Sequence, residues 1–162
     1  MKKYSWIIIL VNLLLFLGYF NYSVVQKEKL LEQGTLIFME LAPADPRSLM
    51  QGDYMDLRYK LPSEMALDNI PKRGFCALEP DASGVVQHIR FLAEGEKAKP
   101  NELPIRYTKG NWWDINIGAE SYFFQEGDAE KYENAKYGGI RVDDEGNSLL
   151  VGLYDDNLKK LE

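Results

Sequence analysis

The chain has 162 residues, 25 acidic against 19 basic, with a formal net charge of −6 and a single cysteine, Cys76. That length holds a membrane segment and one soluble domain with its own core, and a lone thiol rules out an intrachain disulfide. Lys2 and Lys3 precede the first apolar run, so residues 27–162 carry 17 basic and all 25 acidic residues, a net of −8, which argues against nucleic acid or anionic lipid as the main partner.

Residues 5–25 read SWIIILVNLLLFLGYFNYSVV and carry no charge. As a helix such a run extends about 32 Å, enough for the hydrocarbon core of a bilayer. Trp6 at one end and Tyr19 and Tyr22 at the other suit the interfacial aromatic belts. The rival is a cleaved signal peptide, which needs small residues soon after the apolar run. Residues 18–23, GYFNYS, offer no good site, so residues 1–26 are expected to remain as a transmembrane anchor. Asn12 is expected to hydrogen-bond within its own helix or to a partner helix, for about 1 kcal/mol. Lys2 and Lys3 before the run balance Lys27 and Lys29 after it. The short leading tail and free amino terminus favour the amino terminus inside. Residues 27–34 are charged and should continue the helix as a short stalk that Gly34 ends.

From Thr35 the pattern changes to short runs separated by turn signals, the mark of a β-domain over 35–162. Strands are expected over 36–41, 54–60, 74–79, 85–91, 105–108, 112–117, 122–124, 140–142 and 149–153. Asp81-Ala82-Ser83-Gly84 and residues 143–147 (DDEGN) read as hairpin turns. Residues 127–135 read as one helix capped by Asp128. Residues 94–103 form a polar loop, and 61–73 an irregular crossing. The expected fold is mainly β: a small, mostly antiparallel barrel or sandwich with one short helix, behind the amino-terminal transmembrane helix.

The densest signal is 43–59, PADPRSLMQGDYMDLRY. Asp45-Pro46 opens a helical turn, with Asp45 accepting from free N–H groups and Pro46 at the first helical position. Gly52 suits the left-handed residue that ends it, and Asp53 sits at the joint with the following strand. In that strand Met55, Leu57 and Tyr59 share one face, and Tyr54, Asp56 and Arg58 the other. Arg47 and Arg58 are ion-pair candidates for Asp53 or Asp45. The default role of this set is to fix a chain reversal.

Gly52, Asp53, Tyr54, Leu57 and Tyr59 are the letters of the motif that names the GDYXXLXY family of membrane-anchored bacterial proteins, which this stretch resembles. The resemblance implies a single-pass protein of the bacterial inner (cytoplasmic) membrane with its β-domain on the periplasmic or extracytoplasmic side. It brings no established activity. Residues 117–127, IGAESYFFQEG, followed by Glu133, resemble the family's later segment. Glu120, Tyr122, Glu126 and Glu133 line up, while Ile117 and Gln125 depart from the aromatic and proline expected there. Read functionally, Glu120 and Glu126 would meet Arg47 or Arg58 in a polar pocket. Read structurally, they are ion pairs and a charge favouring a helix start. The Pro…Gly-Asp-Tyr stretch is also loosely similar to type I signal peptidases, but Ala44 stands about where the nucleophilic serine would be and cannot attack a carbonyl.

Other residues read blandly. Trp113 belongs to the core side of 112–117, and Trp112 to the outer face, where it either covers a core edge or anchors a partner. Cys76 reads as a small buried hydrophobe, and His88, with no Cys/His cluster around it, as a surface strand residue. Residues 143–146 are too short for a calcium loop, and no glycine run suits a phosphate, so no cofactor is expected. The leading expectation is a non-catalytic interaction module for a membrane partner, most directly a multi-pass protein. The alternatives are an envelope ligand binder using a pocket near Arg47, Tyr54, Arg58 and Glu120, its ligand left open, and, weakest, an acid/base hydrolase on Glu120 and Glu126.

Overall fold

The computed structural model describes residues 4–42, 54–62, 70–110, 115–125, 129–132 and 134–161. Helix α1 (Ser5–Gln33) is continuous through the apolar run and the charged segment beyond it. Its large apolar residues, from Trp6 to Val25, lie exposed, and a helix that is apolar all round and uncovered suits a bilayer. The continuation past Val25 is not a free stalk: Leu30 is only 7% exposed, and the Arg141 guanidinium donates to the Gly34 carbonyl at 2.6 Å. Gly34 ends the helix in an extended conformation. Its glycine is needed for space, since a Cβ there would lie 2.5 Å from the Leu30 oxygen and 3.3 Å from the Arg141 Cβ.

Among the described residues nine strands follow: β1 (Thr35–Glu40), β2 (Tyr54–Asp56), β3 (Arg73–Pro80), β4 (Val86–Phe91), β5 (Leu103–Lys109), β6 (Ile115–Asn116), β7 (Ser121–Phe123), β8 (Tyr137–Val142) and β9 (Ser148–Tyr154), with α2 (Ala129–Tyr132) between β7 and β8. They form sheets of order β1-β8-β9, β2-β7 and β4-β3-β5-β6, every ladder antiparallel. Strand β1 joins them. One edge pairs β8 from Thr35↔Val142 to Glu40↔Tyr137. On the other edge Phe38 donates to the Gly84 carbonyl, and residues 40–42 exchange bonds with 58–60, through Lys60 N–H to the Glu40 carbonyl and Ala42 N–H to the Arg58 carbonyl.

Alternate residues of four strands make the main core: Ile37 and Met39, Cys76 and Leu78, Ile105 and Tyr107, Ile140 and Val142, as a period of two requires when one face is dry. A smaller cluster of Met55, Leu57, Tyr132 and Leu153 lies beside it. Burial pushes the Cys76 thiol up to about 12, and its S–H faces the Ile105 carbonyl; it is an inert core residue, as its neighbours in sequence imply. His88 is exposed on β4 opposite Glu79.

The mainly antiparallel fold behind one apolar helix agrees with the sequence reading, and both hairpin turns are where expected. Four details differ. The 54–60 strand is two pieces, because after Leu57 the chain leaves the segment that leads into β7 and joins β1. Strand β8 begins at Tyr137, three residues early, where two glycines hid the pattern. Leu103, placed in the polar loop, opens β5. The 127–135 helix is helical over Ala129–Tyr132 among the described residues and has turned by Asn134, where Ala135 donates back to Tyr132; Gly127 and Asp128 lie outside those residues.

The polar loop also carries the best-formed ion pair. Arg90 on β4 grips Glu102 in a fork, Nε to Oε1 and Nη2 to Oε2, both at 2.8 Å, and reaches Glu96 at 2.5 Å. The Glu102 side chain is 5% exposed and also accepts the Lys99 N–H. Its carboxyl is lowered to about 2, first by Arg90 and then by that backbone bond. A carboxyl with a depressed folded pKa stabilises above its unfolded value and loses that contribution as pH falls. Thermal stability should therefore decline between about pH 4.5 and pH 2, and Glu102→Gln should flatten that decline while lowering the melting temperature at neutral pH.

Candidate functional site

The two stretches that carry the family-like motifs pair with each other. In β2 and β7 the register is Tyr54↔Phe123, Met55↔Tyr122 and Asp56↔Ser121, and the ladder continues as Leu57 N–H to the Glu120 carbonyl at 2.6 Å. Residues 117–120 make the tight turn that feeds β7. Gly118 there has φ +83°, a left-handed conformation that favours glycine. The Glu120 carboxylate closes the turn by accepting the N–H groups of Ile117 and Gly118. Two further side chains fasten it: the Tyr59 hydroxyl donates to the Ala119 carbonyl, and the Ser148 hydroxyl to the Ile117 carbonyl.

Leu57 and Tyr59 are buried while Asp56 and Arg58 are exposed, so the face assignment from alternation holds for these residues. Burial, and behind it the Glu120 charge, raises the Tyr59 phenol above its ordinary range, which keeps the hydroxyl a donor. Tyr122 meets Tyr132 edge to face, ring centres 5.1 Å apart. Burial and the bond with Tyr132 push its phenol up to about 12. Arg58 makes no ion pair among the described residues. The Tyr54 backbone pairs with Phe123. Asp45, Arg47, Gly52, Asp53, Glu126 and Glu133, together with Trp112 and Trp113, lie outside the described residues.

Chemically, the described part of this junction is a fastening. A carboxylate that accepts two backbone N–H groups is committed as an acceptor, which leaves Glu120 poorly suited to acid/base work. Among the described residues no group of three or more His, Cys, Asp or Glu side chains gathers to hold a metal ion.

Sequence reasoning missed Ala119, Tyr132, Gly138 and Ser148 as parts of the junction. The signal for one of them is the Gly138-Gly139 pair, which makes room for a tyrosine on each face of β8. A Cβ on Gly138 would lie 3.0 Å from the Tyr59 ring, and one on Gly139 would collide with the Tyr154 ring, which stacks edge to face on Phe38 at 4.9 Å. Gly139→Ala should cost about 1–3 kcal/mol, as overpacking generally does. Adding Tyr154→Ala should recover part of that loss, which a double-mutant cycle of unfolding midpoints reads directly.

One uncovered apolar helix, packed at its carboxyl-terminal end on an antiparallel β-domain whose motif strand is stitched to a tight turn, defines a β-domain carried behind a candidate membrane helix. The chain belongs to the GDYXXLXY family: the model for GDYXXLXY protein matches residues 16–153. No curated protein and no solved structure matches it.

Proposed function

We propose that this chain is a single-pass inner-membrane protein whose extracytoplasmic β-domain acts, without catalysis, as an accessory module for a membrane-protein partner, most directly a multi-pass one. The observation that supports this reading is the state of Asn12. Asn21 satisfies its amide by donating to the Leu17 carbonyl one turn back, whereas Asn12, mid-way along an exposed apolar helix, has no hydrogen bond among the described residues. An unpaired amide in hydrocarbon favours a partner helix with a polar group to meet it. The docked end of α1 supports the same reading, because any shift of the helix against its partner would move the β-domain with it.

Affinity purification of the full chain from membranes in mild detergent should retain one multi-pass protein, and Asn12→Leu should reduce its recovery severalfold. Repeated purifications that bring down no membrane protein would count against this reading. Envelope-ligand binding in a pocket near Arg47, Tyr54, Arg58 and Glu120 is the second reading; Arg47 lies outside the described residues, Arg58 is open to solvent, and Glu120 is committed to its turn.

A further inference from the structure

The geometry points to a binding cleft for the headgroup of a zwitterionic aminophospholipid, phosphoethanolamine in class, between α1 and the turn that joins β8 to β9. The inference rests on reading α1 as a membrane anchor.

The turn at 143–147 is built to stay in place. Asp143 accepts the N–H groups of Glu145 and Asn147 through one carboxylate oxygen and the Asn147 amide through the other. The Gly146 carbonyl accepts the Arg106 N–H at 2.9 Å, and Gly146 packs so closely on Phe75 that a Cβ would lie 2.9 Å from its ring. Arg106 in turn holds its guanidinium over the Phe75 ring at 5.7 Å. A cleft of about 630 Å³ opens between this platform and α1, lined on the helix side from Tyr19 to Leu30. That volume is in the usual range for a small-ligand site, roughly 300–1,000 Å³.

Its position sets its chemistry. The apolar run ends at Val25, so Tyr19 and Tyr22 lie at the edge of the hydrocarbon and Lys27 just beyond it. Tyr19 to Leu30 covers about 16 Å of helix axis, which takes the cleft across the headgroup layer and into the water above it. Both signs of charge line it: Lys27 and Arg106, and Glu145. All three are exposed, and none makes an ion pair among the described residues. Asp143 also lines the cleft; its carboxylate spends its acceptor sites on the turn but keeps its negative charge. Two cations without an ion pair suit a phosphate diester, the exposed Glu145 carboxylate suits an ammonium, and the tyrosine end suits the glycerol and upper acyl chains. A purely anionic headgroup would satisfy the cations but set its charge against Glu145, in a domain already acidic overall.

Native mass spectrometry of the delipidated full chain in detergent, titrated with phosphatidylethanolamine or phosphatidylglycerol of matched acyl chains, tests this. The expected result is preferential retention of phosphatidylethanolamine. Arg106→Gln with Lys27→Gln should weaken that retention by about tenfold, the scale of losing one charge-assisted hydrogen bond. Glu145→Gln should abolish the preference, bringing the two lipids level. Equal binding by the wild type, preference for phosphatidylglycerol, or retention indifferent to all three substitutions would overturn the proposal. The intact mass in the same spectra separates the two failures. A chain lacking its first twenty-odd residues removes the anchor reading and the cleft with it, whereas a full-length chain without lipid preference removes the cleft alone.

Discussion

Tyr59→Ala should destabilise the β-domain by about 3–5 kcal/mol, the range for truncating a buried aromatic side chain. The ring is buried against Gly138 of β8, and its hydroxyl holds the 117–120 turn through the Ala119 carbonyl. Truncation opens a cavity beside Gly138, which has no side chain to fill it. Tyr59→Phe keeps the ring and loses only the hydroxyl, for about 1 kcal/mol. Cys76 supplies a reporter. It lies in the main core, on β3, with a thiol that reacts only when the domain opens. Thiol labelling of the full chain in detergent across a urea series should give midpoints in the order wild type, Tyr59→Phe, Tyr59→Ala. A Tyr59→Ala midpoint equal to that of wild type would show that the motif tyrosine does not fasten the fold. Loss of partner recovery at unchanged stability would move it into the interaction surface instead.

The parts of this fold legible in the sequence are those where one rule acts alone. Alternation placed Met55, Leu57 and Tyr59 on one face because period-two burial does not depend on which strand is the neighbour. The Asp-initiated turns at 81–84 and 143–147 were legible because their side chains bond their own backbone, through Asp81 to Ser83 and Val85 and through Asp143 to Glu145 and Asn147. Long-range geometry was not legible. Nothing local says that 58–60 leaves β7 for β1, or that Gly138 is small for the sake of a residue nearly eighty positions earlier. The glutamates misled for a related reason: Glu120 looks available for chemistry in the sequence, yet its carboxylate serves the turn three residues behind it. Asn12 and Asn21 look alike in the sequence, and the fold separates them: Asn21 is bonded back to Leu17 and Asn12 is left open. The first half of the richest motif, Asp45 to Asp53, lies outside the described residues, so its part in any site stays with the sequence reading.

The apolar helix, read as an anchor, yields a prediction with a threshold. Residues 5–25 contain thirteen Leu, Ile, Val and Phe side chains, each favouring insertion by about 0.3–0.6 kcal/mol near the helix centre, for a sum of about 4–8 kcal/mol. One central arginine costs about 2.5–3.5 kcal/mol and can reach towards the interface with its long side chain. Leu14→Arg alone should therefore leave the chain in the membrane. Leu14→Arg with Leu15→Arg costs about 5–7 kcal/mol on the same scale and should move most of it out of the carbonate-resistant membrane fraction. The fractions need a second readout, the mass of the mature chain, because an apolar run near the amino terminus can also be a signal sequence. The docking of Leu30 and Gly34 on the β-domain bears on that choice. Cleavage inside 18–23 would leave the end of α1 packed on β8 and β9 with no membrane segment ahead of it. Retention of the full mass in the wild type, together with loss from the membrane only in the double variant, is the outcome expected of an anchor. A double variant that stays carbonate-resistant would mean that something other than this helix holds the protein to the bilayer.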